Sequence, residues 1–201
     1  MNTLPFPLIQ NKISASPGIA AFLDAYKRGE FPLELDGCEG ALPALLLAAL
    51  WKAHPGVFLV VVSTEREAAE LVPDLEILGA PVLSFPWWGT MPYREMAPLS
   101  AVFGERTGVL AALTSGEPVM VVASERAFLT PLPPPEYFKK LLITLKPGGA
   151  IDTAALTEIL VGYGYTRVPR VQIHGEFALR GEVLDILMGG DEDAYRVLFD
   201  F

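Results

Sequence analysis

Residues 56–62 read Gly-Val-Phe-Leu-Val-Val-Val, a continuous apolar run rich in β-branched side chains. Such a run is typical of a parallel strand that is covered on both faces of a sheet. Apolar segments predict three further strands, at 31–36, 81–85 and 118–123. Helices are predicted between the strands, at 41–53, 64–79 and 102–114, and Thr64 with Glu67 predicts a capping box at the start of the second of them. Alternating strands and helices predict a parallel sheet with helices on both faces, so we expect an α/β domain here.

The proline-rich segment Leu129–Pro135 (LTPLPPP) divides the sequence. Proline removes backbone donors and stiffens the chain, so this segment is expected to be an extended spacer. We place an α/β domain at residues 1–130 and a small α+β domain at residues 131–201. In the second domain a helix is predicted after Asp152, and strands are predicted at 141–145, 165–168, 176–180, 182–187 and 195–201. The sequence ends within the last strand, so we expect this domain to be truncated at its C-terminus.

The net charge is −9, and both parts of the chain are acidic. Residues 1–130 carry 8 Lys and Arg against 14 Asp and Glu, and residues 131–201 carry 7 against 10. DNA-binding surfaces usually depend on clustered basic side chains, so nucleic acid is not expected to be the main partner. Cys38 is the single cysteine, which excludes a disulfide framework. No segment reads as a membrane span or a signal peptide, so we expect a cytoplasmic protein.

A strand, a glycine-bearing loop and a buried helix are predicted where a phosphate-binding P-loop would stand. A working P-loop follows G-x-x-x-x-G-K-[ST], in which the lysine neutralises phosphate and the hydroxyl holds magnesium. From Asp36 the sequence reads DGCEGALPAL. It contains Gly37 and Gly40, but Pro43 stands at the lysine position and Ala44 at the hydroxyl position. We therefore predict a degenerate, non-functional nucleotide loop and no cofactor in this chain.

The stretch His174–Ile186 (HGEFALRGEVLDI) is a second candidate motif. Two short strands are expected to bend at Gly181, which would place the guanidinium of Arg180 on a rigid edge. One interpretation is an arginine that recognises a partner. The other is a solvent-exposed arginine that pairs with Glu176 or Glu182.

The segment Phe85–Tyr93 (FPWWGTMPY) concentrates aromatic residues between prolines. Stacking on single-stranded bases is one use of such residues, but stacking platforms lie in a basic groove. Arg94 is the only cation nearby in the sequence, so we favour an anchoring role in which the aromatic residues pack against the core.

Four segments together resemble a known family. They are FPWWGTMPY at 85–93, FGERTGVLAAL at 103–113, VMVVASERAFL at 119–129 and GYGYTRVPRVQIHGEFALRGEVLDI at 162–186. In this order and at these spacings they strongly resemble the N-terminal region of the bacterial transcription-repair coupling factors (Mfd). That region is itself similar to the first two domains of the excision-repair helicase UvrB.

The resemblance implies a degenerate P-loop domain and a small domain that binds the damage-recognition ATPase UvrA. This chain is then expected to have no catalytic activity. ATP, magnesium, RNA polymerase and DNA are then expected only at downstream regions of a full-length protein. Other domains of that protein are expected to make intramolecular contacts with this part.

The resemblance also assigns residues. In this family the partner contact uses an arginine in a G-E-[FY]-x-x-R-G motif, another in the following Y-R-x strand, and an aromatic residue after it. These positions correspond to Arg180, Arg196 and either Phe199 or Phe201. Glu176, which shares the motif of Arg180, is a further candidate for partner binding.

The resemblance to UvrB itself leaves an alternative. A UvrB chain has a working P-loop and a long hairpin that probes DNA. Pro43 and Ala44 argue against the first, and the short connection between Tyr93 and Arg106 argues against the second. The alternative function is a nucleotide- or DNA-handling domain of an excision-repair helicase with a divergent P-loop.

Overall fold

The structure is a computed structural model, and it describes residues 11–13, 15–89 and 100–199. The chain packs as two compact units. Unit 1 comprises Met1–Phe85 and Ser115–Thr130, and unit 2 comprises Pro86–Thr114 and Pro131–Phe201. One boundary therefore lies inside the proline-rich segment, while the described residues 86–89 and 100–114 belong to the second unit although they precede that segment.

The first part of the chain alternates helices and strands. Its elements are α1 (Pro17–Arg28), α2 (Leu42–Ala53), β1 (Val57–Val62), α3 (Glu65–Ile77), β2 (Val82–Phe85), α4 (Ser100–Ser115), β3 (Val119–Ser124) and α5 (Glu125–Phe128). The sheet has the order β1-β3-β2, and both outer strands run parallel to β3. The predicted α/β class is confirmed for unit 1.

The core of unit 1 lies between this sheet and helices α2 and α3. Ala44 of α2 and Leu75 of α3 are buried against Met120 and Val122 of the central strand. The predicted capping box also forms at the start of α3, where the backbone N–H of Glu67 donates to the Thr64 hydroxyl over 3.2 Å. A side-chain oxygen in this position satisfies a donor that the first helical turn would otherwise leave unpaired.

The predicted strand at 31–36 is wrong, because this segment is irregular in the structure. Leu35 instead packs against a cluster formed by Ile19 of α1 with Leu46 and Leu50 of α2. Pro32 lacks the backbone N–H that a strand contributes to a sheet. Leu35 is therefore covered by helices, whereas Phe31 at the start of the segment is 64% exposed.

The expectation that β1 is covered on both faces is also wrong. The side chains of Phe58 and Val60 pack towards the core. On the other face, Val57, Leu59 and Val61 are 55%, 53% and 44% exposed. The apolar run correctly predicts a strand, but β1 lies at the edge of the described sheet.

Unit 2 contains α4 and a second sheet. Its further elements are α6 (Pro135–Leu141), α7 (Thr153–Gly162), β4 (Thr166–Arg167), β5 (Glu176–Arg180), β6 (Val183–Leu187) and β7 (Tyr195–Leu198). The strand order is β4-β5-β6-β7, with β4 parallel to β5 and the remaining pairs antiparallel. The prediction of a small α+β fold is confirmed for this sheet and α7.

Helix α7 covers one face of this sheet. Asp152 caps the helix as predicted, and its carboxylate accepts from the backbone N–H of Ala154 over 2.8 Å. One side of α7 packs against the strands in a single cluster formed by Leu156, Leu160, Phe177, Leu184 and Ile186. The amphipathic pattern of the helix thus determines which sheet face is buried.

The predicted strand at 141–145 is wrong. Pro135 opens α6, which ends at Leu141, and residues 142–145 are irregular. Proline is favourable in the first helical turn because its missing N–H has no helical acceptor there. The apolar residues Ile143 and Leu145 are each 40% exposed in this irregular segment.

Helix α4 is held within unit 2 by a buried arginine. The guanidinium of Arg106 donates to the carbonyl oxygen of Pro86 over 2.6 Å, and it lies 4.4 Å from the ring centre of Trp88. Burial lowers the pKa of Arg106 to about 10, so the side chain stays charged at neutral pH. Trp88 also packs beside Phe103. These contacts agree with the predicted anchoring role of the aromatic segment, whose residues 90–93 lie outside the described residues.

Candidate partner-binding surface

The hairpin of β5 and β6 carries the arginine motif. Arg180 is paired with Val183, and the two residues between them form the turn. Gly181 has a φ of +58°, which is a left-handed conformation that glycine adopts without a steric penalty. The predicted bend at Gly181 is confirmed.

The two faces of the second sheet differ in character. Successive side chains of a strand point to opposite faces. Phe177 and Leu184 pack towards α7, so the residues that alternate with them lie on the opposite face, here called the outer face. The strand register arranges the outer face in neighbouring rows: one of Arg180, Val183 and Leu198, one of Ala178, Asp185 and Arg196, and one of Glu176 and Leu187.

Asp185 lies at the centre of the outer face and binds both arginines. Arg196 donates from Nε and Nη2 to the two carboxylate oxygens, over 2.6 and 2.9 Å. Arg180 donates from Nη2 to the same carboxylate over 2.8 Å. The Asp185 side chain is 13% exposed, whereas those of Arg180 and Arg196 are 56% and 63% exposed. The structure therefore brings together the two arginines that the sequence analysis selected.

This arrangement determines the charge of the surface. Hydrogen bonds from Arg196, and to a lesser degree from Arg180, lower the pKa of Asp185. The same contact raises the pKa of Arg196. The cluster itself holds two cations against one anion, whereas Glu176 adds a second carboxylate elsewhere on the outer face, so the excess of positive charge is confined to the neighbourhood of Arg180 and Arg196. A guanidinium held by one carboxylate keeps further N–H groups that can bind a second carboxylate.

The expected alternative pairing of Arg180 is wrong. The ion pair of Arg180 is with Asp185 and not with Glu176 or Glu182. The carboxylate of Glu176 accepts from the backbone N–H groups of Gln172 and Ile173, over 2.8 and 3.1 Å. In the structure Glu176 thus holds the loop before β5, which is a local structural role.

The two candidate phenylalanines are placed differently. Phe199 packs against the core cluster that contains Leu156 and Phe177, so it lies on the sheet face opposite the two arginines. Phe201 lies outside the described residues. Leu198 shares the outer face with the arginines, and its exposed fraction of 72% is far above that of the buried Ala178 on the same face.

Asp185 and Leu198 were not among the site residues predicted from the sequence. Both alternate with core residues along their strands, so a period of two would have placed each of them on a solvent face. Their position beside Arg180 depends on the register between three strands, and that register involves residues up to 18 positions apart.

The glycine-bearing loop is far less suited to bind an anion. Gly37 and Gly40 have φ values of +75° and +61°. Pro43 lies in the first turn of α2, where it supplies no backbone N–H. Ala44 is 2% exposed and belongs to the unit 1 core. Pro43 and Ala44 thus present a ring and a buried methyl group at the start of α2, and neither side chain supplies a cation or a hydroxyl.

Two further features, a metal-ion site and a membrane-spanning helix, are considered within the described residues. Within residues 11–13, 15–89 and 100–199, no group of three or more His, Cys, Asp or Glu side chains is placed to hold a metal ion. In that same part of the chain, every helix is too short or too polar to cross a membrane.

Comparison with known proteins identifies related chains. The family described as "UvrB interaction domain" matches residues 143–201, which include the whole second sheet. The transcription-repair-coupling factor of Mycobacterium bovis is 36% identical over 164 residues, covering 78% of this chain and 13% of that protein. That of Escherichia coli is 26% identical over 174 residues, covering 86% of this chain and 15% of that protein.

A third relative, the transcription-repair-coupling factor of Borreliella burgdorferi, is 24% identical over 168 residues, and the match covers 15% of that protein. The chain therefore spans about one seventh of the length of the curated relatives that it matches. The similarity to these relatives covers most of this chain, and the family match includes the segment that carries Arg180. The chain belongs to the transcription-repair-coupling factor family.

Proposed function

We propose that the outer face of the second sheet binds UvrA, and that this chain is a non-catalytic recruitment module in transcription-coupled repair. The observation that carries the proposal is the convergence of Arg180 and Arg196 on Asp185, with both guanidinium groups exposed. The match to the UvrB interaction domain over the same residues supports it.

The geometry suits an acidic partner surface. Asp185 holds each arginine in one orientation, so less side-chain freedom is lost when a partner binds. The guanidinium is planar and can bind a carboxylate through two parallel hydrogen bonds. We infer that UvrA presents carboxylates to this face. Glu176 supports the surface indirectly, since it orders the loop that leads into β5.

Replacing the arginines tests the proposal. We expect Arg180→Ala and Arg196→Ala each to weaken UvrA binding by roughly 1–3 kcal/mol, the scale of hydrogen bonds to charged groups. The double variant should bind below detection in a calorimetric titration of the 201-residue chain into purified UvrA. Arg180→Lys should bind with intermediate affinity, because lysine keeps the charge and loses the bidentate geometry.

Arg66→Ala is the matched control, because it removes an exposed arginine from unit 1 that pairs with Glu70 on the solvent side of α3. It should bind as the native chain does. Equal binding by the native chain and the double variant would place the interface elsewhere. Absence of binding by the native chain would contradict the proposal for this chain as a whole. Circular dichroism melts of each variant separate loss of binding from loss of fold.

We propose that unit 1 binds no nucleotide and that no cofactor acts in this chain. ATP with magnesium is expected to leave the melting temperature unchanged, because Pro43 and Ala44 offer neither a cation nor a hydroxyl. A ligand at about 100 times its Kd would stabilise the protein by about 2.7 kcal/mol. Magnesium chloride at equal ionic strength is the control. A rise of several degrees with ATP alone would favour the alternative of a nucleotide-handling helicase domain.

The proposal also concerns the regions of a full-length protein that lie outside this chain. About six sevenths of the length of the matched relatives lies outside the aligned part. We propose that those regions carry the contacts with RNA polymerase and DNA and an ATP-driven motor, and that they make intramolecular contacts with the present chain. We place the protein in the cytoplasm, where these partners act.

A further inference from the structure

The outer face combines its charges with an exposed apolar residue. Leu198 is 72% exposed, more than any other large apolar side chain among the described residues. It lies directly opposite Val183 in the register, and Val183 lies directly opposite Arg180. Side chains opposite one another on neighbouring strands have their β-carbons about 4.5–5.5 Å apart. Leu198, Val183 and Arg180 therefore form one continuous row.

Arg196 is the second charged neighbour of Leu198. The two residues are separated by one position on β7, so both side chains emerge on the outer face. Arg196 is in turn fixed to Asp185. The exposed leucine thus has Arg196 beside it on β7 and Arg180 at the other end of its row, beyond Val183, and both arginines are oriented by Asp185.

The resemblance assigned the apolar contact to Phe199 or Phe201. Phe199 packs into the core on the α7 side, together with Leu156 and Leu160. Reaching a partner on the arginine side would require Phe199 to leave this cluster and to abandon the alternation of β7. Leu198 needs no rearrangement to make the same contact.

We propose that Leu198, supported by Val183, is the apolar anchor of the outer face and contacts UvrA together with Arg180 and Arg196. This inference rests on the proposed function and adds to it the residue that sets apolar specificity. The partner site that fits is an apolar depression of UvrA bordered by carboxylates, because the two arginines lie on the same face as the leucine. Apolar contacts at the centre of a charged ring dominate the energy of many interfaces, since the ring excludes water from them.

The test is a calorimetric titration of UvrA with variants of the 201-residue chain. Leu198→Ala is expected to weaken binding by about tenfold or more, the loss typical of an interface anchor. Leu198→Asp should remove measurable binding, because it places an anion next to the partner carboxylates. Leu198→Met should restore binding to within about threefold of the native chain, because the volume and apolarity are retained.

Val161→Ala is the matched control. Val161 is 54% exposed and lies on α7, the helix that covers the opposite face of the sheet. This variant should bind as the native chain does. Phe199→Leu should lower the melting temperature and, at a temperature where the chain is folded, should leave the affinity for UvrA unchanged.

The outcomes separate the two proposals. Loss of binding by Leu198→Ala with native binding by Val161→Ala supports the anchor. Native affinity of Leu198→Ala, when the double arginine variant has lost binding, would overturn the anchor and leave the proposed function standing. Failure of the native chain to bind UvrA would overturn both.

Discussion

Phe177→Ala is expected to lower the free energy of unfolding by roughly 3–5 kcal/mol, the usual cost of removing a buried aromatic ring. Phe177 is fully buried at the centre of the cluster between α7 and the second sheet. It is paired with Ile186 on β6, and β5 lies between two other strands. The cavity would therefore open in the element that positions Arg180.

Chemical denaturation followed by circular dichroism measures this loss. Leu198→Ala is the control, because it lies on the outer face of the same sheet and should change the free energy of unfolding by less than about 0.5 kcal/mol, as exposed sites usually do. Because domains are stable by only about 5–15 kcal/mol, Phe177→Ala should also weaken UvrA binding without touching the outer face. A stability change of less than about 1 kcal/mol would contradict the described core.

Gly104→Val is expected to destabilise the chain by about 3 kcal/mol, at the upper end of the usual cost of overpacking. A β-carbon at position 104 would overlap the backbone carbonyl of Gly189, which cannot rotate away as a flexible side chain could. The loop after β6 would have to move from α4. Helix propensity acts in the opposite direction, because glycine costs roughly 0.5–1 kcal/mol relative to alanine in a helix, but the steric term is larger.

Gly108→Ala supplies the comparison one turn along the same helix. A β-carbon at Gly108 would meet no heavy atom within 4 Å. This substitution should therefore raise the free energy of unfolding by roughly 0.5–1 kcal/mol, because alanine reduces the conformational freedom of the unfolded chain. Thermal melts of Gly104→Val, Gly104→Ala and Gly108→Ala would measure the expected destabilisation at position 104 and the expected stabilisation at position 108. Equal effects at the two positions would show that helix propensity, and not contact with Gly189, governs this helix.

Local signals in the sequence predicted much of the fold correctly. The capping residues Thr64 and Asp152 begin their helices as predicted, because a cap involves only its own helical turn. Gly181 turns the β5–β6 hairpin for a similar reason, since its positive φ is a property of one residue. The alternation of helices and valine-rich strands likewise sufficed for the α/β class of unit 1.

Predictions that required a partner strand were less successful. The segments 31–36 and 141–145 have apolar residues suited to a strand, but neither is a strand in the structure. The first packs on helices α1 and α2, and the second follows a helix that begins at Pro135. β1 is a strand, yet its place at the sheet edge leaves Leu59 exposed. A strand's neighbours come from distant parts of the chain, so composition alone could not predict them.

The candidate partner-binding surface likewise combines features that the sequence predicted with features that depend on distant strands. The sequence by itself determined that Arg180 and Arg196 are strand residues next to a turn and within a recognisable motif. Only the tertiary structure decided that Asp185 joins them, that Leu198 lies on their face and that Phe199 lies on the other. The physical reason is register: side chains alternate with a period of two, so each face depends on the alignment of β5, β6 and β7, and the burial of Phe177 and Leu184 against α7 selects that alignment.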